Sequence, residues 1–344
     1  MLEPYIDKLI RRQDLTAGEA EEAMTIIMTG QATPAQIGGY LVALRMKGET
    51  IPEIIGSARA MRSQANPVPL NSKTGILVDT AGTGGDGKHT FNISTAAAFI
   101  VAGTGVKVAK HGNRAASSQC GSADVLNELG VNIDLAPDQV GACIDETGIG
   151  FLFAPRFHPA MRYAIGPRRE LATRTIFNIL GPLTNPAGAT HQLIGVFAPN
   201  LTETLAVVLG ELGGKAAYVI HGFGGFDELT TSGLNRLSFL KDGKVKTYDY
   251  DASQLGLRPV TEDQLRGGDP PQNAAMLRAI LEGKDQSPRL DVVLLNAAAA
   301  LATQTGDLHS GLDEARRSLQ SGAALVKLDD LVRYSHAFEG DRTS

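Results

Sequence analysis

The chain has few cysteines, no long apolar run and no excess of positive charge. Each of these absences excludes a class of protein. Its two cysteines, Cys120 and Cys143, are too few for a disulfide framework and lack the CxxC or CxxH spacing of zinc sites. None of the apolar runs in its 344 residues is long enough to span a bilayer. A formal net charge of -5 argues against non-specific binding to nucleic acid. We therefore expect neither a membrane nor a nucleic acid as partner.

The composition is that of a globular protein from a reducing compartment. Apolar residues make up 43% of the chain and charged residues 20%, which are ordinary globular values. Glu3 and Asp7 stand where a secretion signal would be basic and then apolar, so we expect a cytoplasmic protein. A chain of 344 residues exceeds what one core usually covers, which predicts one large or two unequal domains.

The first 66 residues predict a small all-helical domain. Capping boxes, in which a threonine is followed three residues later by an acid or amide, predict three helix starts: Thr16 with Glu19, Thr33 with Gln36, and Thr50 with Glu53. A proline-stiffened linker at 65–70 ends this segment. Helical patches at about 156–180 are expected to pack on it, which makes the small domain discontinuous.

Residues 72–335 predict a larger α/β domain with a central, mainly parallel sheet flanked by helices. Short apolar runs alternate there with helical stretches. The runs predicted as strands are Ile76–Thr80, Val106–Lys110, Ile149–Phe153, Gln192–Phe197 and Ala217–His221. Arg236–Leu240 and Lys244–Tyr250 flank Asp242-Gly243 and predict an appended hairpin.

A glycine-rich turn follows the first predicted strand. Gly82, Gly84 and Gly87 match G-x-G-x-x-G, the dinucleotide-binding fingerprint. That fold needs a carboxylate about twenty residues on, yet the second predicted strand ends in Lys110 and His111. A cation at that position favours a phosphorylated small molecule over a nicotinamide cofactor. The remaining alternative is a turn that binds no ligand. So many glycines in one turn are entropically costly, which disfavours this alternative.

Further polar groups follow the predicted strands at the same carboxyl edge. Residues 92–95 (Asn-Ile-Ser-Thr) begin a helix, with Asn92 or Ser94 as its N-cap. The hydroxyls there serve either as simple caps or as ligands of phosphate or Mg²⁺. Residues 110–118 place two cations around a glycine before two serines, which suits a pyrophosphate better than a solvated face. Asp227 and Glu228 either cap the next element or hold Mg²⁺ against that phosphate.

Two other patterns do not by themselves identify a functional residue. Arginines recur through residues 156–177, at Arg162, Arg168, Arg169 and Arg174, and their spacing does not distinguish a ligand from a solvated side chain. Residues 328–332 imitate the acidic pair of the common phosphoribosyltransferase fold. They lack the phosphate loop that should follow, so we expect an ordinary C-terminal helix.

Together these segments resemble one family closely, the anthranilate phosphoribosyltransferases. The matching motifs are GTGGD at 82–86, NIST at 92–95, KHGNRAASS at 110–118, GSADVL at 121–126, FAPRFHPAM at 153–161, RTIFNILGPLTNP at 174–186, the Asp227-Glu228 pair, GGDPPQNAAMLRAIL at 267–281 and LLNAAAAL at 294–301. The resemblance spans nearly the whole chain. It implies transfer of the 5-phosphoribosyl group of phosphoribosyl pyrophosphate (PRPP) to the amine of anthranilate. The products are N-(5-phosphoribosyl)anthranilate and pyrophosphate, the reaction depends on Mg²⁺, and it belongs to tryptophan biosynthesis.

The resemblance also assigns roles to residues. Those implied to bind PRPP are Gly82, Gly85, Asp86, Thr90, Asn92, Ile93, Ser94, Thr95, Lys110, His111, Gly112, Asn113, Arg114, Ala115, Ala116, Ser117, Ser118 and Ser122. Those implied to contact anthranilate are Gly82, Asn113 and Arg168. Those implied to be catalytic are Lys110, His111, Asn113 and Arg168, and those implied to hold Mg²⁺ are Ser94, Asp227 and Glu228. Family members also imply a homodimer, which the sequence leaves open.

The chain departs from the family pattern at three pairs of residues, none of which carries an assigned role. Gln119-Cys120 replaces Lys-Ser, Gly166-Pro167 replaces Pro-Val, and Ala172-Thr173 replaces Gly-Ile. The first change removes a charge near the pyrophosphate and is expected to weaken donor affinity. An aromatic amine is already neutral at pH 7, so the implied reaction needs no strong base. The amine itself attacks the ribose and expels pyrophosphate, so no covalent nucleophile is expected. Neither cysteine is therefore expected to be catalytic.

Two alternatives remain at this point. A pyrimidine nucleoside phosphorylase would share the fold, bind inorganic phosphate and lack the Asn113–Arg168 pair. A non-catalytic, nucleic-acid-binding relative would be basic overall and lack the acidic pair, whereas this chain is acidic and retains both carboxylates.

Overall fold

The computed structural model describes residues 1–71, 75–115 and 119–338. Its N-terminal segment is helical, as the capping boxes predict, with α1 Glu3–Ile10, α2 Ala17–Met28, α3 Pro34–Lys47 and α4 Ile51–Ser63. In the first box the Thr16 hydroxyl accepts the Glu19 N–H at 3.2 Å. The Thr16 N–H in turn donates to the Glu19 carboxylate at 2.9 Å.

The predicted sheet is present and has seven strands. They are β1 Leu77–Asp79, β2 Lys107–Gly112, β3 Ile149–Phe153, β4 His191–Gly195, β5 Ala216–His221, β6 Leu234–Lys241 and β7 Lys244–Asp251. Their order is β3-β2-β1-β4-β5-β6-β7; the first five pair in parallel, and β6 pairs antiparallel with both β5 and β7. The predicted hairpin turns through Asp242 (φ 51°) and Gly243 (φ 72°), the positive φ pair that a two-residue loop favours.

Helices connect and cover the strands. They are α5 Ile93–Gly103, α6 Ser122–Glu128, α7 Pro137–Thr147, α8 Ala154–Phe157, α9 Arg162–Leu171, α10 Phe177–Leu180, α11 Leu201–Glu211, α12 Glu262–Leu265, α13 Pro270–Leu281, α14 Pro288–Ala302, α15 Leu308–Gln320 and α16 Ala323–Ser335. Residues 328–332 lie inside α16, so the expectation of an ordinary C-terminal helix is confirmed. None of the helices in the described part of the chain is both long and apolar enough to cross a membrane.

The sheet separates two apolar cores. Alternate side chains of β5 point to opposite faces, so that Tyr218 and Ile220 join one core and Ala217 and Val219 join the other. Helices α5 and α14 fill the first core, while α2, α3, α4 and α11 fill the second. Helix α9 packs against α2 and α3. The expected fold class, a small helical domain beside a larger α/β domain, is confirmed, and the boundaries at 66, 72 and about 156–180 stay a prediction.

Candidate active site

The carboxyl ends of the parallel strands gather the polar segments at one edge of the sheet. The glycine-rich turn follows β1, the Lys110–Asn113 segment closes β2, and Asp227-Glu228 lies in the loop after β5. This is the edge at which open α/β sheets bind ligands. Two cavities open there, on either side of the Lys110–Asn113 segment.

The first cavity, here called the donor cleft, encloses about 150 Å³. It is lined by Gly84, Gly85, Asp86, Gly87, His89, Thr90, Phe91, Asn92, Ile93, Ser94, Cys120, Asp227 and Glu228. Gly84, Gly85 and Gly87 have φ of 64°, 80° and 76°, a backbone conformation that other residues rarely adopt. The glycines therefore bring backbone, rather than side chains, to the wall of the cleft.

Lys110 is the cation beneath this cleft, and only 3% of it is exposed. Its Nζ lies 3.2 Å from both Ser94 Oγ and Thr80 Oγ1. Burial lowers the pKa of Lys110, while the negative charges of Asp79 and Glu228 oppose that shift. The buried positive charge of Lys110, on β2, therefore lies against the start of α5 and the residue that follows β1.

Carboxylates form the opposite wall. Burial raises the pKa of Glu228 to about 7 against the opposing charge of Lys110. Burial also raises the pKa of Asp227 well above its usual range, and the neighbouring Asp86 and Glu228 add to the shift. The Ser94 N–H donates to Glu228 Oε1 at 3.2 Å, and the Asp227 N–H donates to Asp86 Oδ2 at 3.2 Å. Such crowded carboxylates are stabilised when a cation joins them.

This donor set fits Mg²⁺ better than a metal held by protein alone. Within the described residues, no group of three or more His, Cys, Asp or Glu side chains has an arrangement that would hold a metal ion. Mg²⁺ characteristically takes one or two carboxylates and completes its shell with water and substrate phosphate. Asp227, Glu228 and the Ser94 hydroxyl offer that kind of partial set.

Other residues assigned to PRPP by resemblance surround the cleft without all lining it. Asn92 stands at the N-cap of α5, but its side chain makes no capping hydrogen bond; its Nδ2 donates instead to the Cys120 carbonyl at 3.2 Å. Thr95 is buried, and its hydroxyl has no partner among the described residues. Gly82 lies against Gly195 and Asp227, behind the wall.

The loop after β2 is held by an acid. Arg114 pairs with Asp124 at 2.9 Å, and the Ala115 N–H donates to the same carboxylate at 2.9 Å. Ser122 Oγ donates to the Asn113 carbonyl at 3.3 Å. Arg114 is thus already paired in this structure. The assigned residues Ala116, Ser117 and Ser118 lie outside the described residues.

The second cavity, here called the acceptor cavity, encloses about 390 Å³. It is lined by Met61, His111, Asn113, Ala154, Pro155, His158, Pro159, Met161, Arg162, Ile165, Arg168, Phe177, Gly181 and Thr184. Its wall is largely apolar. It brings together His111 from β2, Asn113 from the loop after β2, and Arg168 from α9. Arg168 Cζ lies 5.1 Å from the Phe177 ring centroid. A half-buried guanidinium in apolar surroundings suits a planar carboxylate.

Two neutral histidines face each other beside this cavity. The ring centroids of His111 and His158 are 5.1 Å apart. Burial lowers the pKa of His111 to about 3 and that of His158 to about 4, so both rings are neutral at pH 7. Neither ring nitrogen of His158, nor Nε2 of His111, has a hydrogen-bond partner within the described part of the chain. Sequence reasoning missed His158, because nothing in FAPRFHPAM separates it from a core histidine.

A buried acid ties the site together and was also missed. Asp79, at the end of β1, accepts the N–H groups of Ala81 (3.1 Å) and His111 (3.2 Å). It also accepts Asn185 Nδ2 at 2.7 Å, and that amide donates to the Ala109 carbonyl at 2.8 Å. Burial raises the pKa of Asp79 to about 6, against the opposing charge of Lys110. The sequence signal that could have identified Asp79 is an acidic residue at the end of an apolar strand.

Comparison with known proteins decides the family. A model of the glycosyl transferase family a/b domain matches residues 74–325, and one of that family's helical bundle domain matches residues 3–65. The anthranilate phosphoribosyltransferase of Moorella thermoacetica is 54% identical over 336 residues, covering 97% of this chain and 98% of the relative. That of a Roseiflexus species is 56% identical over 339 residues, with coverage of 97% and 98%. The chain belongs to the anthranilate phosphoribosyltransferase family.

Solved structures of anthranilate phosphoribosyltransferases agree with this assignment. The Thermus thermophilus enzyme superposes with a TM-score of 0.91 at 43% identity, covering 96% of this chain and 99% of that one. The Saccharomyces cerevisiae enzyme in complex with PRPP and Mg superposes with a TM-score of 0.89 at 27% identity, covering 98% of both chains. The expected activity, a pentosyl transfer in tryptophan biosynthesis, is thereby confirmed, and the nicotinamide, nucleoside phosphorylase and nucleic-acid alternatives are set aside.

The thiols agree with a reaction that has no covalent nucleophile. Burial raises the pKa of Cys120 to about 11 and that of Cys143 to about 12. Both therefore remain protonated at neutral pH, and a protonated thiol is a poor nucleophile.

Proposed function

We propose that the donor cleft binds PRPP and the acceptor cavity binds anthranilate, with transfer taking place where the two meet at Lys110–Asn113. The observation that carries this proposal is the pairing of a polar, glycine-lined cleft with an apolar cavity holding Arg168, on either side of one strand end. Each cavity matches one substrate, because the donor is a charged sugar diphosphate and the acceptor an aromatic carboxylate.

The donor's phosphates are bound by backbone amides, hydroxyls and one buried cation. Lys110 supplies the charge, the start of α5 supplies the Ser94 hydroxyl, and the glycine-rich turn supplies backbone amides. We extend the PRPP contacts to the other donor residues assigned above, Ser117 and Ser118 included. Three of these residues do not meet the cleft directly: Arg114 must leave Asp124 to reach a phosphate, while Gly82 and Thr95 lie behind the wall and would act by shaping it.

Asp227, Glu228 and Ser94 would hold Mg²⁺ beside the donor's pyrophosphate. When bound, the ion neutralises the developing charge of the leaving group. The carboxylates would then be ionised despite their burial. Their present crowding beside Asp86 is the feature that supports a cation at this position.

The acceptor is held by its carboxylate and its amine. Arg168 pairs with the carboxylate, and Asn113 lies on the same wall. The amine is neutral at pH 7 and attacks C1′ of the ribose with inversion as pyrophosphate departs. His111, kept neutral by burial, lines the cavity beside the amine and does not act as a strong base. Alignment of this kind contributes ~7–11 kcal/mol to such reactions.

The test is a fluorescence assay of anthranilate consumption with PRPP and Mg²⁺, applied to Arg168→Ala. Leaving a carboxylate unpaired in the cavity costs about 2–5 kcal/mol, so the anthranilate KM should rise by at least tenfold. The matched control is Arg169→Ala, the exposed neighbour on α9, which should retain wild-type kinetics. An unchanged anthranilate KM in Arg168→Ala would remove Arg168 from the site. Phosphorolysis of thymidine or uridine by the wild type would contradict the proposal as a whole.

The metal assignment has its own test. The double variant Asp227→Asn, Glu228→Gln keeps the size and polarity of both side chains and removes their charge. Turnover should fall, and the remaining activity should respond weakly to added Mg²⁺. A Mg²⁺ titration curve identical to that of the wild type would refute these ligands.

We also propose that the protein is a cytoplasmic homodimer. The N-terminal helices carry exposed apolar side chains that suit an interface, Ile10 on α1 (68% exposed) and Met46 on α3 (70%). Light scattering of the purified protein should give twice the chain mass. The variant Met46→Glu should shift that mass toward the monomer, and a wild-type monomer at micromolar concentration would contradict the proposal.

A further inference from the structure

Arg174 is an arginine of the α9–α10 connection to which the reaction gives no role. Its Nη2 donates a hydrogen bond to the carbonyl oxygen of Gly85, in the glycine-rich turn after β1. Its guanidinium carbon lies 4.2 Å from the ring centroid of Phe197, two residues beyond the end of β4. One side chain therefore connects the wall of the donor cleft to the segment that follows α9.

The hydrogen bond fixes the orientation of one peptide group. The C=O and N–H of a trans peptide point in opposite directions, so binding the Gly85 carbonyl to Arg174 turns the Asp86 N–H away from Arg174. Gly84 and Gly85 have φ of 64° and 80°, and glycine permits several backbone conformations at comparable cost. Without Arg174 the Gly85 carbonyl loses the hydrogen bond that sets its direction, and the peptide can turn about the glycine dihedrals while the Asp86 side chain stays bonded to the Asp227 N–H. A flipped peptide presents an oxygen, instead of an amide, to the phosphates of a donor.

We propose that Arg174 is a positioning residue for the sugar diphosphate. It holds the Gly85–Asp86 peptide with its oxygen outward, so that the turn offers amides to the anion, and it fixes that turn relative to α9. This inference rests on the proposed function of the donor cleft. It adds a residue that does not itself touch the substrate.

The connection to α9 is short and well anchored. Ala172, in the left-handed conformation (φ 48°), ends the helix that carries Arg168. The Thr175 N–H then donates to Asn178 Oδ1 at 2.9 Å. Arg174 is therefore held between two fixed points, and the donor turn takes its position from the helix that lines the acceptor cavity.

Other contacts anchor the turn independently of Arg174. At its start, the Thr83 N–H donates to the Gly195 carbonyl at 2.8 Å. At its end, Lys88 Nζ pairs with Glu262 at 2.9 Å and lies 5.1 Å from the Phe226 ring centroid. Loss of Arg174 should therefore free the middle of the turn without unfolding it. The expected defect is in donor binding and not in stability.

The experiment compares Arg174→Ala and Arg174→Lys with the wild type in steady-state assays that vary each substrate in turn. Arg174→Ala should raise the PRPP KM about tenfold, the scale of one lost charged hydrogen bond, with little change in anthranilate KM or melting temperature. Arg174→Lys can still donate to the Gly85 carbonyl and should recover part of the loss. Arg169→Ala is the matched control and should leave all three quantities unchanged.

A second variant tests the aromatic contact. Phe197→Leu removes the stacking surface and leaves the arginine, so it should raise the PRPP KM by less than Arg174→Ala does. An unchanged PRPP KM in Arg174→Ala, equal rises in both KM values, or no recovery by lysine would each overturn the inference. A wild-type protein without anthranilate transfer would instead refute the proposed function, so the two failures are distinguishable.

Discussion

Ala172 is a residue whose conformation does not suit its side chain. It ends α9 with φ 48° and ψ 29°, the left-handed region in which a Cβ is unfavourable and glycine is preferred. Family resemblance also leads one to expect glycine at this position. The alanine therefore carries a local conformational cost that a single substitution removes.

Ala172→Gly should stabilise the protein by about 1 kcal/mol, since relief of the left-handed strain outweighs the added freedom of the unfolded chain. Thermal unfolding followed by circular dichroism measures the effect. Ala275→Gly, at an exposed position inside α13, is the control and should destabilise by about 1 kcal/mol. A fall in melting temperature for Ala172→Gly would show that the methyl group makes a favourable contact that outweighs the strain.

At the residue scale, sequence reasoning succeeded where strand ends place polar groups together. Lys110 lies near the carboxyl end of β2, while Ser94 and Glu228 follow β1 and β5, and the rule for carboxyl edges predicts that the three meet. It failed for His158 and Asp79, because their importance depends on burial against distant segments. A histidine or an acid in an apolar stretch looks the same on paper whether its partners come together or not.

The elements around the site depend on one buried acid. Asp79 joins the end of β1 to β2 through the His111 N–H, and to the segment after α10 through Asn185. Its side chain is fully buried, and its pKa is raised by that burial. Removal of this carboxylate leaves several buried donors without an acceptor.

Asp79→Ala should destabilise the protein by about 3 kcal/mol or more, since each buried donor left unpaired costs about 1–3 kcal/mol. The shift in the urea unfolding midpoint measures it. Asp249→Ala is the control on β7, because its 53%-exposed carboxylate pairs with Arg236 at 3.4 Å and surface pairs contribute about 0–1 kcal/mol. Equal shifts for the two variants would mean that the Asp79 hydrogen bonds do not hold these elements together.

At the element scale, the strands were predicted more accurately than their ends. The second strand was predicted to stop at Lys110, yet β2 continues to Gly112 because His111 and Gly112 pair with Leu152 and Phe153 of β3. Only the partner strand decides where such a ladder stops. For the same reason Lys110 and His111 are strand residues, and only Asn113 begins the loop. Lys110 contacts Ser94 of the donor cleft, and His111 lines the acceptor cavity.

The molecule as a whole contains buried groups that respond to pH in opposite senses. Burial lowers the pKa of His158 to about 4, whereas it raises those of Asp79 to about 6 and Glu228 to about 7. A histidine with a lowered pKa makes folding less favourable as the pH falls. A carboxyl group with a raised pKa has the opposite effect. The pH dependence of the wild-type unfolding free energy is therefore a sum of opposing terms, from which no single contribution can be read.

The sign for His158 follows from linkage. In the unfolded chain the imidazole binds a proton near its ordinary pKa of 6.5, while in the folded protein it stays neutral down to about pH 4. Between these values only the unfolded state gains a proton. The free energy of unfolding therefore falls as the pH drops through this window, by up to about 1.4 kcal/mol per pH unit. Above about pH 7 the contribution is constant.

His158→Gln should remove that dependence. The difference in unfolding free energy between wild type and variant, measured by urea titration at pH 7.5, 6 and 5, should shrink or reverse as the pH falls, because only the wild type has the histidine to protonate. His309→Gln is the control, because it removes an exposed imidazole from α15 and leaves the wall of the acceptor cavity intact. A constant difference for His158→Gln would mean that the folded protein protonates this ring normally, and that water reaches the wall of the acceptor cavity.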